Sequence, residues 1–252
     1  MQLSYIEFDD RLDAILTAEQ NAPQRVRNDF SRRFMLGWLY HELSLEGVIL
    51  DEHDLSRALS GREGRDYCDG VLLDTIRYTR MAFQRLRNAA VRRERLTKGL
   101  LDELHAMLHG GPVKDAHRTD SGATEQYKHD VIAPERIEEE LQSLLFDLDG
   151  RDWIHHPIER AVRAHYRMTR IWPYNQRGGM LARMVQHHVL LSNGYPPALI
   201  HACDRQKYYH ALHYDIRRLH SVVVGAMRGQ VELRERIFAR YRQTGRQMAV
   251  GA

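Results

Sequence analysis

An all-α fold class is predicted by three features of the sequence. Apolar residues recur at three- and four-residue steps in one segment after another. The connections between these segments are short and carry glycine or proline. Only one stretch, 112–133, departs from the helical pattern. Such stripes, joined by short turns, bury one another in a helical bundle.

Taken in order, residues 24–46 read as a helix that packs onto the bundle, and 60–66, "SGREGRD", as a loop. In 97–108, Thr97 suits an N-cap. Leu100, Leu101, Leu104 and Leu108 form one stripe, and Gly110-Gly111 ends it. Stretch 112–133 is too polar for a core helix. With a turn at Ser121-Gly122 it reads either as a short exposed β-hairpin with free strand edges, open to an extended peptide, or as an ordered connecting loop. Pro134 and acidic neighbours open a helix over 134–148, with Ile137, Leu141, Leu144 and Leu148 on one side. Further stripes are Ile158, Ala161, Val162 and His165; then Leu181, Met184, Val185 and His188; then Tyr209, Leu212, Ile216, Leu219 and Val223. The tail "TGRQMAVGA" reads as frayed. The organisation expected is an N-terminal helical segment over 1–60, a core over 61–225, and a C-terminal helix and tail over 226–252.

Composition narrows the functional classes. A mean hydropathy of −0.56 and the lack of a long apolar run argue against a membrane span. No basic-then-apolar leader opens the sequence, so a cytoplasmic location is expected. Cys68 and Cys203, without a CxxC spacing, read as two reduced thiols rather than a zinc site. Thirty-seven basic residues against 34 acidic ones leave a net charge of +3, a small excess for a nucleic-acid binder. The 15 histidines are scattered, and no metal-binding pair is expected among them.

The densest chemistry lies in "WPYNQRGGMLAR", residues 172–183, between two helical stripes. Gly178-Gly179 just before a helix suits an anion-binding N-terminus, with Arg177 and Arg183 adding charge. The same two glycines equally suit a plain turn with Arg183 in an ion pair. Upstream, in "LYHELSLEGVIL", Leu39, Leu43 and Glu46 fall at i, i+4 and i+7, which places a carboxylate on an apolar face. A buried carboxylate needs a partner. Gly47 after it suits a left-handed helix end.

The order "HPIERAVRAHYRMTRI", "WPYNQRGGMLAR" and "SNGYPP" resembles the Fic (Fido-fold) family, whose signature is HPFxDGNGRxxR followed by a helix and a GxPP segment. The likeness runs over roughly residues 30–215. It implies a helical Fic-like bundle with a hairpin flap at 112–133. By the resemblance, Trp172 stands where the family has its catalytic histidine. Pro173 is kept, Tyr174 replaces phenylalanine, and Asn175 takes the variable position. Gln176 replaces the magnesium-binding acid, Arg177-Gly178-Gly179 the GNG anion nest, and Met180 the first arginine; Gly179 and Arg183 remain. The segment "LSLEG" (Ser44, Glu46, Gly47) is similar to the family's inhibitory helix, (S/T)xxxE(G/N), whose glutamate pairs with the second arginine, here Arg183. The match is partial, since the serine position itself is Glu42.

An indole N–H donates but accepts no proton, so the general base is lost at Trp172. A neutral amide at Gln176 binds a divalent cation poorly, and Met180 offers a phosphate nothing. The expectation is a catalytically degenerate Fic-fold protein with no catalytic residue, no metal and no cofactor. It would act by binding a protein partner or ligand through the flap at 112–133 or the modified cleft, where Trp172 would serve as an aromatic anchor or as an ordinary core side chain. Nucleotide binding at the cleft is left open. The alternative is a noncanonical transferase of AMP or UMP onto protein hydroxyls, with magnesium and ATP, drawing its base from His155, His156 or His165. No nucleic-acid or membrane partner is expected.

Overall fold

The computed structural model describes residues 5–120, 129–149 and 155–250. Ten helices carry the fold: α1 (Tyr5–Gln20), α2 (Gln24–Leu45), α3 (Glu52–Leu59), α4 (Tyr67–Val91), α5 (Lys98–Leu108), α6 (Ile137–Asp149), α7 (Pro157–Ile171), α8 (Gly178–Ser192), α9 (Arg205–Tyr214) and α10 (Ile216–Val250). Helix α8 is the axis of the molecule. Every residue from Gly178 to Leu190 is buried, because α7 lies antiparallel along one side while α4 and α5 cover others. A helix enclosed all round needs apolar residues on every face or partners for the polar ones. Leu181, Met184, Val185 and Leu190 meet the first need; Arg183, Gln186, His187 and His188 fall under the second. One apolar core runs from Phe8 in α1 to Val231 in α10.

Local signals set the helix ends. Thr97 accepts from the Leu100 N–H at 3.1 Å and caps α5, and Gly110 closes it with φ of +75°. Asp51 and Asp54 cap α3 reciprocally. Gly47 (φ +85°) ends α2 in a Schellman arrangement, its own N–H on Ser44 O and the Val48 N–H on Leu43 O, both at 3.0 Å.

Several expectations are corrected. The stripe over 209–223 is two helices, because Asp215 is extended and its carboxylate accepts from the N–H groups of Arg217 and Arg218 to start α10 afresh. The first turn at Pro134–Arg136 is 3-10 rather than α. Helix α10 continues through Val250, where a frayed tail is expected. Helix α4, 25 residues long, is not among the elements expected from the sequence, although Leu73, Ile76, Ala82, Phe83, Leu86 and Ala90 line its buried side. The Ser121-Gly122 turn of the expected hairpin lies outside the described residues. Among those described, no strand ladder forms at 112–133, and the one bridge there joins His117 to Tyr174. Among the described residues, no helix is long and apolar enough to cross a membrane. Cys68 and Cys203 are exposed free thiols.

Candidate functional site

The loop between α7 and α8 is held from both sides. Trp172 ends α7 in the left-handed region (φ 45°), its N–H on Met168 O at 2.9 Å, and Arg177 starts α8 from the same region (φ 59°). Between them the chain pairs with the flap. The Arg118 N–H donates to Pro173 O and the Asn175 N–H to Ala116 O, both at 3.0 Å. The Asn175 amide adds bonds to Asp115 O and His117 O. The free strand edge expected at this part of the flap is therefore taken by the loop itself.

The buried guanidinium of Arg118 fastens the junction. It donates to the carbonyls of Trp172 (2.9 Å), Ile171 (3.2 Å), Ile132 (2.6 Å) and Asp120. The first two are terminal carbonyls of α7, which intrahelical bonding leaves unused. Tyr174 is buried, stacks on His105 with centroids 4.4 Å apart, and donates its hydroxyl to Asp102 at 2.7 Å. Burial and that carboxylate raise the Tyr174 phenol above its ordinary value. Gln176 is exposed and faces His109 Nε2 at 3.3 Å. Beside the loop a cavity of about 530 Å³ is lined by Asp102, His105, Val113, His117, Thr119 and Tyr174.

Trp172 is 3% exposed, so it is a core side chain, and the reading of it as a cleft-mouth anchor is corrected. Its indole lies flat against the start of α8. A methyl group built on Gly178 would stand 2.6 Å from the ring. Gly178, Gly179 and Met180 are all buried. The ring also meets His129 edge-on, with centroids 5.5 Å apart.

Arg183 points from α8 toward α2 and is 1% exposed. Its Nε donates to Glu42 Oε1 at 2.5 Å and its Nη2 to Glu46 Oε1 at 2.6 Å. The structure thus brings Glu46 and Arg183 together and adds a second carboxylate. One guanidinium cannot neutralise two carboxylates, and Glu42 is the more deeply enclosed. Burial pushes Glu42 up to about 7, against the pull of Arg183 and with the help of Glu46. Ser44 stays outside this cluster: its carbonyl serves the helix end, and no hydrogen bond places its side chain at Arg183. Glu42, four residues before Glu46, shares its helix face, a spacing visible in the sequence.

From Arg183 a hydrogen-bond chain runs inward. Nη1 donates to the Tyr208 hydroxyl oxygen at 3.2 Å, that hydroxyl meets His165 Nε2 at 2.9 Å, and His165 Nδ1 meets Gln186 Oε1 at 2.5 Å. An amide oxygen only accepts, so His165 carries its proton on Nδ1 and accepts from Tyr208 at Nε2. Burial holds this imidazole down to about 3, so it is neutral and its acceptor is occupied. His155 and His156 are at the other end of α7, about 24–26 Å from Trp172 by the helical rise. His156 instead caps α7 and meets Asp9 at 3.2 Å. Their place beside the loop, and with it a role as base there, is therefore corrected. Among the described residues, one group of three metal-type ligands lies together at the start of α3, the exposed Asp51 and His53 with the half-buried Asp54. At the loop, Gln176 offers a neutral amide where a magnesium ion calls for a carboxylate.

No family model matches the chain. It is similar to the protein adenylyltransferase Fic of Nematostella vectensis, 32% identical over 120 residues, 44% of this chain and 28% of that protein. It is similar too to the protein adenylyltransferase fic-1 of Caenorhabditis briggsae, 24% identical over 194 residues, 70% of this chain and 36% of that protein. The chain thus spans roughly a third of the length of these curated relatives. Among solved structures, a Fic domain containing signaling protein from Bacteroides thetaiotaomicron superposes with a TM-score of 0.73 at 20% identity, over 91% of this chain and 94% of the other. The Fic-1 structure from C. elegans gives 0.73 at 19%, over 91% and 71%. At these identities the structural likeness is one of fold.

Proposed function

We propose that the chain, similar to protein adenylyltransferases and of the same fold as Fic-domain proteins, is a catalytically degenerate member of the Fic family, which binds a protein partner or ligand instead of transferring AMP. The reading is carried by the indole of Trp172 lying on Gly178. At the position of the family's catalytic histidine stands a side chain that accepts no proton, and its ring covers the helix N-terminus at which an anion would be held. The double engagement of Arg183 by Glu42 and Glu46 supports the same reading, since that guanidinium is already committed within the fold. The partner-binding surfaces are then the outer side of the flap region 112–133 and the modified cleft.

The rival reading, a noncanonical transferase of AMP or UMP onto protein hydroxyls, draws on the relatives, which are named protein adenylyltransferases. One assay separates the two. The protein is incubated with magnesium, each labelled ribonucleoside triphosphate in turn, and a cell lysate. The expected result is no labelled polypeptide above that given by a heat-denatured sample. A robust band that disappears in Trp172→Ala overturns the proposal. Titration calorimetry with magnesium and ATP is expected to give no saturable heat.

A further inference from the structure

A second cationic surface lies along α7, away from the signature loop. Arg160, Arg163 and Arg167 fall at i, i+3 and i+7 and so share one helix stripe. They line a groove of about 550 Å³, whose other wall is Leu144, Leu148 and Ile216. Phe146 sits on its lip, 79% exposed. The groove adjoins, at the shared Leu148, His155 and Arg160, a larger cleft of about 1280 Å³ at the far end of the α7–α8 hairpin, which Arg93 and Arg95 also line.

The charges are not all spent internally. Asp147 engages Arg167, Asp149 engages Arg95, and Glu94 engages Arg85. Arg160 donates to Leu148 O. Among the described residues, Arg93 and Arg163 form no ion pair, and both are exposed. Arg93 is further held at φ 54°, a conformation that ordinarily disfavours a side-chain-bearing residue. Two uncommitted guanidinium groups therefore stand in a furrow of two adjoining cavities with an apolar wall and an exposed aromatic ring. Charge complementarity selects an occupant bearing carboxylates, and the apolar wall selects one with leucine- or phenylalanine-like side chains between them.

We propose that the furrow formed by α6, α7 and the α4–α5 turn is a docking site for an acidic, amphipathic peptide segment of a protein partner. This deepens the binding reading above, yet uses none of the residues of the signature loop. The label-transfer assay tests that loop and the experiment below tests this furrow, so either fails without the other.

The probe is a fluorescein-labelled 14-residue peptide of glutamate and leucine with one central phenylalanine, followed by anisotropy against the full chain. Saturable binding is expected, weakened at least tenfold between 50 and 300 mM salt, because attraction between exposed charges is increasingly screened over that range. The doubly reversed R93E/R163E, at exposed unpaired positions, is expected to lose at least tenfold, and Phe146→Ser several-fold, with unchanged circular dichroism and melting. The same peptide with lysine for glutamate should not bind. The proposal is overturned by no saturable binding, by binding that R93E/R163E leaves unchanged, or by a 14-nucleotide polyuridylate that binds tighter than the peptide.

Discussion

The indole of Trp172 rests on the α-carbon of Gly178, six residues further on, leaving no room for a methyl group between them. Gly178 begins α8 at an ordinary helical position, where alanine by itself would favour the helix by up to roughly 1 kcal/mol. Contact decides the sign, because the obstructing atoms belong to a rigid ring packed in the core. Gly178→Ala is expected to destabilise by roughly 1–3 kcal/mol, as overpacking does. Trp172→Ala alone costs roughly 3–5 kcal/mol through the void it leaves. The double variant should be more stable than the sum of the two losses predicts. Urea titration of the four proteins checks this; strict additivity would mean that ring and glycine do not touch.

How much of this was legible in the sequence depends on the reach of each interaction. The stripes of α5, α6, α7 and α8 follow from spacing within one helix, as do the Thr97 cap and the Gly47 turn. Glu46 invites a partner because it shares a face with Leu39 and Leu43. Glu42 shares that face by its i, i+4 spacing, but that Arg183 engages both carboxylates depends on how α2 crosses α8, which no local pattern encodes. The role of Arg118 is unreadable for the same reason: the two acceptors that tie it to α7 lie 53 and 54 residues away in sequence, on carbonyls with no residue-type signature. Asp215 splits the last stripe because a capping carboxylate outweighs unbroken apolar periodicity, and there the signal was present. The misplacement of His155 and His156 came from nearness along the chain; a straight helix then carries them away from the loop.

Arg183 between Glu42 and Glu46 has two consequences. Arg183→Leu leaves two carboxylates without their cation and is expected to cost roughly 3–5 kcal/mol. The second concerns pH. Glu42 is raised from 4.5 to about 7, so the folded protein holds a proton that the unfolded chain has released. That contribution is complete below pH 4.5 and fades as pH rises through 7. Glu42→Gln keeps the neutral form at every pH, so its stability relative to the parent should grow from pH 5 to pH 8, by on the order of 1–3 kcal/mol. Urea midpoints of the two proteins at both pH values measure it. A constant difference would place Glu42 ionised throughout.

The buried histidines act in the opposite sense. Burial holds His165 and His187 down to about 3, from 6.5. Their contribution is present above pH 6.5 and is lost progressively as pH falls toward 3, since the unfolded chain takes up protons that the folded one refuses. Each such group adds a slope of about 1.4 kcal/mol per pH unit over that window. His187→Gln should be less stable than the parent at pH 7.5, having disturbed the contact with Trp38, and should show a shallower acid limb. An unaltered limb would show that His187 titrates normally.

Arg118 ties the flap to the end of α7 through four carbonyls. Hydrogen bonds to a charged group contribute about 1.5–3 kcal/mol each net of solvent competition, and buried carbonyls left without a donor add a further cost. Arg118→Ala is expected to destabilise by roughly 3 kcal/mol or more, and Arg118→Lys to recover only part, because an ammonium cannot span the same acceptors. Hydrogen exchange gives the local test: the Ile132 N–H, bonded to Arg170 O at 3.0 Å, should lose protection in Arg118→Ala before the helices do. Uniform loss across all amides would assign Arg118 a global role.

Arg177 opens α8 at φ 59° and ψ 14°, in the left-handed region, without a side-chain cap. That conformation costs a residue with a Cβ roughly 1–2 kcal/mol, a cost that glycine escapes. Arg177→Gly removes the strain but makes the unfolded chain more flexible, which takes back about 0.4–1 kcal/mol. The net change from the parent is therefore small. The informative comparison is with Arg177→Ala, which keeps the strain and removes the same guanidinium. Arg177→Gly should be the more stable of the two by roughly 1 kcal/mol in urea, whatever the guanidinium contributes, since both variants lose it. If the alanine variant matches or exceeds the glycine variant, the chain does not turn left-handed at 177, and the seat of Trp172 on Gly178, which that turn sets, has a different geometry.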